Sequence, residues 1–224
     1  MTGSLSFNGS SDYARASVIP VSVQPLTMAG WCKWTGTPAG AVHPMCICEA
    51  GVASTAGQFR CNISASTTGV FNISQTGPTA TGSATTTNVS TVDTWTHCAA
   101  IFTSNTSRRA ILNGDTGGAA NNTTNTGTPG SLTRFSLGVR DLTAQQGFFQ
   151  GLIGAWAVWN VALSDEEVVA LAKGWHPTRI RRTALVWLCM FPALGTVVTD
   201  EIGTADMTIT GATDSNDGPP MALR

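Results

Sequence analysis

The chain has 224 residues, a formal net charge of −1 and a hydrophobic fraction of 42%, which is enough for one sizeable core in one main domain. Charged residues make up 11% of the sequence, against roughly 25% in ordinary soluble domains. Because the twelve basic residues are few and mostly scattered, the sequence excludes the basic surface that nucleic acid or an anionic membrane needs, and we expect neither as a partner.

The first residues, MTGSLSFNGSSDYA, contain neither a basic nor an apolar segment, and no stretch reaches the ~18 apolar residues of a membrane span. We therefore expect a protein made in a reducing cytoplasm, with six free and mostly buried cysteines. The segment HPMCIC holds His43, Cys46 and Cys48, which are residue types that bind zinc. On a strand, however, Cys-x-Cys points its sulfurs to opposite faces, so we expect no metal there.

Alternating apolar and polar residues recur along the chain between turns rich in Gly, Ser, Thr and Asn, which predicts strands. In LTMAGWCKW the alternation places four side chains on one face: Leu26, Met28, Cys32 and Trp34. The segments GQFRCNISA and GVFNISQ, residues 57–65 and 69–75, predict two further strands. Each of these runs is typical of a strand with one buried and one exposed face.

The middle of the chain continues the pattern. The segment TWTHCAAIF places His97 on the same strand face as Trp95 and Ile101, so we interpret His97 as a core histidine whose hydrogen bonds are satisfied and not as a catalytic base. The segment RRAILNGD ends in Asn113-Gly114, a strong tight-turn signal. LTRFSLGVR, residues 132–140, alternates apolar residues with arginine and serine and predicts another half-buried strand.

A late segment joins a strand to a helix with almost no linker. Residues 149–160 are apolar on both faces, which predicts a central strand covered on each side. Ser164 and Glu167 form a capping box, the following acidic residues suit the positive end of the helix dipole, and Gly174 ends the segment. We therefore predict a helix over about residues 164–173 in an otherwise all-β protein, either a sandwich or a barrel.

The order of LSFNGSSDYA, LTMAGWCKWTG, WTHCAAIFTSNTSRRAILNGD, FSLGV and FFQGLIGAWAVWNVALSDEEVVAL resembles the laminin-G-like, concanavalin A-like jelly-roll family over residues 4–174. The resemblance implies an antiparallel two-sheet jelly-roll sandwich with one short helix after a late strand, in a domain spanning residues 1–174. It also implies binding, since many members bind glycans or proteins, often through calcium at loop ends, and some relatives hydrolyse polysaccharides.

Two departures from the family pattern narrow this function. Where members commonly show an acidic pair, this chain has Gly154-Ala155, and its remaining oxygen donors are scattered over Asn113, Asp115 and Asp141. Calcium prefers several converging oxygens, so the support for it is weak and we expect no cofactor. The Glu-x-Asp-x-x-Glu pattern of the superfamily's glucanases is absent from the four glutamates, so we expect no catalytic residues and no enzyme.

Residues 175–224 contain the segment TALVWLCMFPALGTVVTDEIGTADMTITGAT, which resembles a segment that precedes the LSFNG strand in many relatives. We predict that residues 185–188 and 207–209 complete the same sandwich in a circularly permuted order, which would bring the two termini together. The alternative is a C-terminal extension that packs elsewhere.

This C-terminal segment, with PTRIRR leading into it and DGPPMALR closing it, also resembles the ends of jelly-roll proteins encoded by tailed bacteriophages. This resemblance implies a non-enzymatic virion structural protein, either a head-decoration or a fibre-associated protein. Its partners would be viral capsid or tail proteins and further copies of itself, and its location would be the virion surface.

The alternative hypothesis is a carbohydrate-binding, lectin-like module. A sugar ring would then stack on an exposed tryptophan, for which Trp34 and Trp175 are the candidates because neither is clearly on a buried strand. Asn113, Asp115 and Asp141 would supply polar contacts from loops. The two hypotheses remain open at this point, since loop contacts in sandwiches depend on geometry that the composition does not encode.

Overall fold

The computed structural model of the protein describes residues 3–35, 41–48, 57–64, 69–117, 123–191 and 195–222. These residues form two antiparallel sheets packed face to face, with an α-helix against the outer side of one sheet. The all-β sandwich with one short helix is therefore confirmed.

In the described ranges the smaller sheet has seven strands. They are β1 (Ser4–Asn8), β3 (Leu26–Trp34), β8 (Thr96–Ser104), β9 (Ser107–Leu112), β13 (Gln150–Trp159), β14 (Leu185–Cys189) and β17 (Thr213–Ser215). Their order is β17-β1-β13-β3-β8-β9, and β14 pairs with the second half of β13 beyond the end of β1. The predicted central strand thus lies in the middle of this sheet.

The larger sheet, counted over the same ranges, has eight strands. They are β2 (Tyr13–Ala16), β4 (Ala41–Cys48), β5 (Gln58–Ser64), β6 (Val70–Thr76), β7 (Thr81–Val89), β10 (Arg134–Leu137), β15 (Val197–Val198) and β16 (Met207–Thr210). Their order is β15-β16-β2-β10-β4-β5-β6-β7. A short hairpin of β11 (Arg140–Asp141) and β12 (Gln145–Gln146) follows β10 and contacts β4 and β10.

The main core lies between the two sheets, where the inward side of each strand carries apolar residues. Aromatic rings join the sheets edge to face: Phe59 meets Phe102 at a centroid distance of 5.0 Å, and Phe135 meets Trp187 at 4.9 Å. Edge-to-face contacts of this kind add to the free energy gained from burying the rings. The faces predicted from the alternation in β3 and β10 are confirmed by this core.

A second apolar cluster lies on the outer side of the smaller sheet. Trp31 and Ala99 point outward from their strands and are buried there by Val168 and Leu171 of the helix. For this reason β3 and β8 are buried on both faces, and the predicted half-exposed strands are wrong at these two positions. The alternation in the sequence is weak there because the polar face that it requires is missing.

The helix α1 (Asp165–Ala172) begins as predicted. The Ser164 backbone N–H donates to Glu167 Oε2 at 2.8 Å, and the Glu167 N–H donates to Ser164 Oγ at 3.4 Å, which completes the capping box. Gly174 follows the helix with φ +85°, a left-handed conformation that glycine adopts at little cost. In the described part of the chain no helix has the length and apolar character needed to cross a bilayer.

Replacing the cap tests how much α1 depends on this local signal. We expect Ser164→Ala to lower the free energy of unfolding by about 1 kcal/mol, because the N–H of Glu167 loses its acceptor. Urea denaturation at neutral pH measures the change. Thr91→Ala, at an exposed loop position, is the matched control and should stay within about 0.5 kcal/mol of the wild type; equal effects of the two substitutions would contradict the capping role.

The C-terminal segment contributes strands to both sheets. β14 pairs with β13, β16 pairs with β2, and β17 pairs with β1. Gly3 lies against the backbone of Phe191 and Ser215, so the described beginning of the chain is next to strands from its last forty residues. Two short 3-10 helices, Pro177–Arg179 and Arg182–Ala184, connect α1 to β14.

Candidate functional site

An open groove of about 510 Å³ runs along α1 on the outer side of the smaller sheet. Its wall on the sheet side is the turn after β9, where Gly114 approaches the helix so closely that a Cβ placed there would lie 3.0 Å from Ala172 Cβ. The residues that line the groove come from this turn, from the helix and from the segment after it: Thr116, Asp165, Glu166, Val169, Ala170, Lys173 and Trp175.

Trp175 is half exposed at the end of this groove, with 50% of its surface accessible. Its backbone N–H donates to Ala170 O at 3.1 Å, and the Ala222 N–H donates to Gly174 O at 2.8 Å, so the end of the helix and the C-terminal segment hold its backbone. In the described part of the chain it is the one tryptophan that is exposed. Trp175 therefore has the exposure that stacking of a sugar ring requires.

Trp175 also lines a second, much smaller cavity of about 10 Å³ beneath the groove. His97 and Trp31 form part of its wall, with their rings in edge contact at 5.3 Å. His97 is 2% exposed and sits in the core as predicted, but its Nδ1 has no hydrogen-bond partner among the described residues, so the expectation of a satisfied histidine is wrong. Burial lowers the pKa of His97 to about 3, which keeps the ring neutral.

The charges in and beside the groove nearly cancel, because Asp165 and Glu166 are matched by Lys173 and Arg109. Arg109 Nη1 lies 2.5 Å from Asp165 Oδ1, so this carboxylate is neutralised by the neighbouring strand. Glu166 Oε2 accepts a hydrogen bond from Ser164 Oγ at 2.8 Å, and the residue is exposed and lines the groove. The result is a surface with an aromatic ring, hydrogen-bonding groups and little net charge, which suits a neutral polar ligand.

Asn113 and Asp115 lie in the turn that borders the groove, and both are exposed. The Asn113-Gly114 turn forms as predicted, with positive φ at both residues. Asn113 Oδ1 accepts the His97 N–H at 2.9 Å, and Asp115 Oδ1 accepts the Gly117 N–H at 3.1 Å, so both side chains also stabilise the local backbone. The structure thus brings this turn and Trp175 to the same helix.

Trp34 does not have the exposure expected of a sugar platform. It is 4% exposed, and its indole N–H donates to Ser90 Oγ at 2.9 Å inside the sandwich. The reason is the alternation along β3, which points Trp34 into the core together with Cys32. A ring covered on both faces has no surface on which a ligand can stack.

The prediction that Asp141 supplies a polar contact to a ligand is also wrong, because its side chain is fully buried on the larger sheet, away from the groove. It accepts from Arg15 Nη2 at 2.8 Å and from Arg134 Nη1 at 3.1 Å, and Arg15 Nε also donates to it. The three predicted oxygen donors therefore do not converge. Among the described residues no three His, Cys, Asp or Glu side chains are grouped as metal ligands; the side chain of Cys48 lies outside the description.

Two arginines on the outer side of the larger sheet were not among the predicted site residues. Arg60 projects outward from β5, and the charge of Arg140 on the β11–β12 hairpin acts on it. Arg140 Nε donates to Gln58 Oε1 at 2.8 Å, on the strand that carries Arg60. The signal in the sequence was the segment QFRCNIS, where a single cation alternates with buried residues, but such a pattern is also typical of any solvated strand face.

Comparison with known proteins places these surfaces on a familiar scaffold. The family model described as the concanavalin A-like lectin/glucanases superfamily matches residues 8–169. No curated protein matches the chain. The match ends within α1, so β14 to β17 lie beyond it.

Solved structures share the fold at low sequence identity. A candidate carbohydrate binding protein from Bacteroides ovatus has a TM-score of 0.69 and 15% identity. The alignment covers 100% of this chain and 63% of that chain. The CBM40 of the Ruminococcus gnavus IT-sialidase, solved with α2,3-sialyllactose, has a TM-score of 0.60, 12% identity and coverages of 75% and 96%. The heptameric SAP-like pentraxin of Limulus polyphemus has a TM-score of 0.56, 14% identity and coverages of 76% and 82%. At such identities the similarity establishes the fold.

Proposed function

Because the chain belongs to the concanavalin A-like lectin/glucanases superfamily, we propose that it is a glycan-binding module that holds a saccharide in the Trp175 groove without chemical turnover. The observation that carries this proposal is the half-exposed Trp175 indole beside an open groove lined by hydrogen-bonding side chains. Saccharides need this combination, since a sugar ring has an apolar face for stacking and a rim of hydroxyl groups.

The groove provides both parts of such an interaction. The exposed part of the Trp175 ring offers an apolar surface whose burial by a sugar is favourable. Thr116, Glu166 and Lys173 lie at the groove and supply a hydroxyl, a carboxylate and an ammonium group for hydrogen bonds to sugar hydroxyls. The volume of about 510 Å³ is within the range of ligand sites and leaves room for more than one sugar ring.

The relatives favour glycan binding over the virion hypothesis. Two of the three similar structures are of proteins that bind carbohydrate or are described as doing so. One is a candidate carbohydrate binding protein, and the other is a sialidase CBM40 in complex with sialyllactose. None of the three is described as a virion protein. The decoration role, the capsid or tail partners and self-association stay predictions from the resemblance of the C-terminal segment that PTRIRR leads into and DGPPMALR closes.

The test is a glycan array followed by calorimetry on the best ligand. We expect at least one neutral glycan to bind, and we expect Trp175→Ala to weaken it by roughly tenfold or more, because the stacking surface is removed. Trp175→Phe should recover part of the affinity. Val92→Ala removes a similarly exposed apolar side chain from another loop and serves as the control, with no change in affinity.

Two binding results would contradict the proposal. One is an array on which the folded protein binds no glycan. The other is binding that Trp175→Ala leaves within twofold of the wild type, which would move the saccharide to another surface. Thermal unfolding of each variant, recorded beside the titration, separates loss of the groove from loss of the fold. The release of reducing sugar from a bound ligand would contradict the absence of turnover.

A further inference from the structure

Arg60 occupies an unusual position on the outer side of the larger sheet. Its neighbours in β5, Phe59 and Cys61, are fully buried in the core, so Arg60 points away from it. In the cross-strand register Arg60 lies between Cys46 of β4 and Ser74 of β6. It is therefore in the interior of the sheet, with a strand on each side, and its side chain is only partly exposed.

The guanidinium of Arg60 has no partner among the described residues. Its Nε is buried and makes no hydrogen bond, and no described carboxylate lies within the 4.0 Å of an ion pair. The contrast with Arg15 and Arg134 on the same face is clear, because those two share Asp141. A buried donor that is left unsatisfied costs free energy, and more so when it is charged.

A second cation increases this cost. Arg140 lies on the hairpin near Arg60, and two of its hydrogen bonds are to the neutral side chains of Gln58 and Gln146. Burial, and then the charge of Arg140, lower the pKa of Arg60 to about 10, so it remains a cation at neutral pH. His43 adds no charge, because burial lowers its pKa to about 3. An anion placed here would satisfy the free donors and offset the repulsion.

The surrounding side chains indicate what kind of anion fits. Asn62, Ser74 and Ser83 lie on the same outward face around Arg60, so hydroxyl and amide groups surround the cation. Ser74 Oγ is 3.0 Å from Ser83 Oγ, and neighbouring pairs such as Asn72 with Thr85 continue the polar surface. Such a surface suits a small carboxylate that also carries hydroxyl groups.

We propose that Arg60 binds the carboxylate of an acidic saccharide on the outer face of the larger sheet, on the side of the sandwich opposite the Trp175 groove. A guanidinium and a carboxylate match in a planar pair of hydrogen bonds, and the side chain of Arg60 is partly exposed. The anion site follows from Arg60 and its surroundings alone; only the saccharide character of the ligand rests on the proposed function.

Calorimetric titration with glucuronic acid, and with glucose as its neutral counterpart, tests this site. We expect the wild type to bind glucuronic acid more tightly than glucose, with an affinity that falls as salt is added. Arg60→Gln should weaken glucuronic acid by roughly tenfold or more, since one charged hydrogen-bonding partner is lost. Arg60→Lys keeps the positive charge but lacks the planar guanidinium, so its affinity for glucuronic acid should lie between those of the wild type and Arg60→Gln.

Two control variants isolate the site. Arg179→Gln removes the same charge from an exposed position beyond α1 and should leave the affinity for glucuronic acid unchanged. Trp175→Ala should also leave it unchanged, because the groove lies on the other sheet. Arg60→Gln is expected to keep or raise the midpoint of thermal unfolding, as it removes an unpartnered buried cation, whereas a purely structural Arg60 would lower it.

The outcomes separate this proposal from the previous one. The Arg60 site is overturned if glucuronic acid binds the wild type and Arg60→Gln with equal affinity. It is also overturned if the wild type does not bind glucuronic acid at all. In either case, if Trp175→Ala abolishes the binding of neutral glycans, the Trp175 groove remains the glycan site. Glucuronic acid binding that is lost only in Arg60→Gln supports the site even if the array shows no neutral ligand.

Discussion

Acidification from pH 7 to pH 5 is expected to lower the free energy of unfolding by about 4 kcal/mol, because two histidines are buried in their neutral form. His43 is 4% and His97 2% exposed. Burial lowers the pKa of each from 6.5 to about 3, and the charge of Arg60 contributes further at His43. The carbonyl of Cys61, 3.2 Å from His43 Nδ1, favours the protonated ring, but burial outweighs it and keeps the ring neutral.

The direction of the effect follows from proton uptake. Below pH 6.5 the histidines of the unfolded chain bind protons, while those of the folded protein stay neutral until the pH approaches 3. Stability is therefore complete above about pH 6.5 and is lost as the pH falls through this window. Each histidine contributes about 2 kcal/mol between pH 7 and pH 5, at about 1.4 kcal/mol per pH unit.

Urea denaturation at pH 7 and at pH 5 measures the loss. For His97→Phe we expect about half of the wild-type loss of unfolding free energy between pH 7 and pH 5, because one of the two buried histidines is removed. The phenyl ring keeps an aromatic contact with Trp31, and it also removes the unpartnered Nδ1, so stability at pH 7 should be equal or higher. A wild type that loses less than about 1 kcal/mol over this range would show that these histidines are not buried as neutral rings.

Replacement of Asp141 by asparagine is expected to cost about 2 to 3 kcal/mol of stability, the second largest effect. The carboxylate is fully buried between Arg15 and Arg134, and the substitution keeps its shape while removing its charge. Breaking a buried ion pair from one side is strongly destabilising. We expect a smaller loss of stability than for a completely buried ion pair, because the side chains of Arg15 and Arg134 are 35% and 27% exposed and can be hydrated.

The exposed carboxylate of Asp115 provides the matched control. Asp115→Asn makes the same chemical change in a turn, where an amide oxygen can still accept the Gly117 N–H, and should stay within about 0.5 kcal/mol of the wild type. Denaturation curves of both variants, together with a glycan titration, distinguish the roles. If Asp141→Asn abolished glycan binding while stability stayed unchanged, the assignment of Asp141 to the structural ion cluster would be wrong.

The strand and helix at residues 149–174 illustrate what a sequence pattern can predict. The absence of polar residues over β13 requires cover on both faces, and the capping box and Gly174 determine where α1 begins and ends. These signals are local, since they involve neighbours within a few residues. For the same reason the Asn113-Gly114 turn was predictable from two residues.

The candidate site was predictable only in part. Trp175 follows the helix and lacks a strand pattern, which correctly indicated exposure. Trp34 was misjudged because it borders a loop, although the alternation had already placed it on the same face as Cys32, and that face is the inward one. Asp141 was misjudged because its two partners come from β2 and β10, and only their pairing in the sheet brings the cations to one carboxylate.

The sequence by itself determined the elements and the family, because alternation, capping and turn residues act over short distances and recur in the same order in relatives. The tertiary structure decided which surfaces are available. Helix α1 buries the outer face of the smaller sheet, the turn after β9 closes one wall of the Trp175 groove, and cross-strand register gives Arg60 no partner among the described residues. These are contacts between segments far apart in the chain, and burial and charge pairing depend on such contacts.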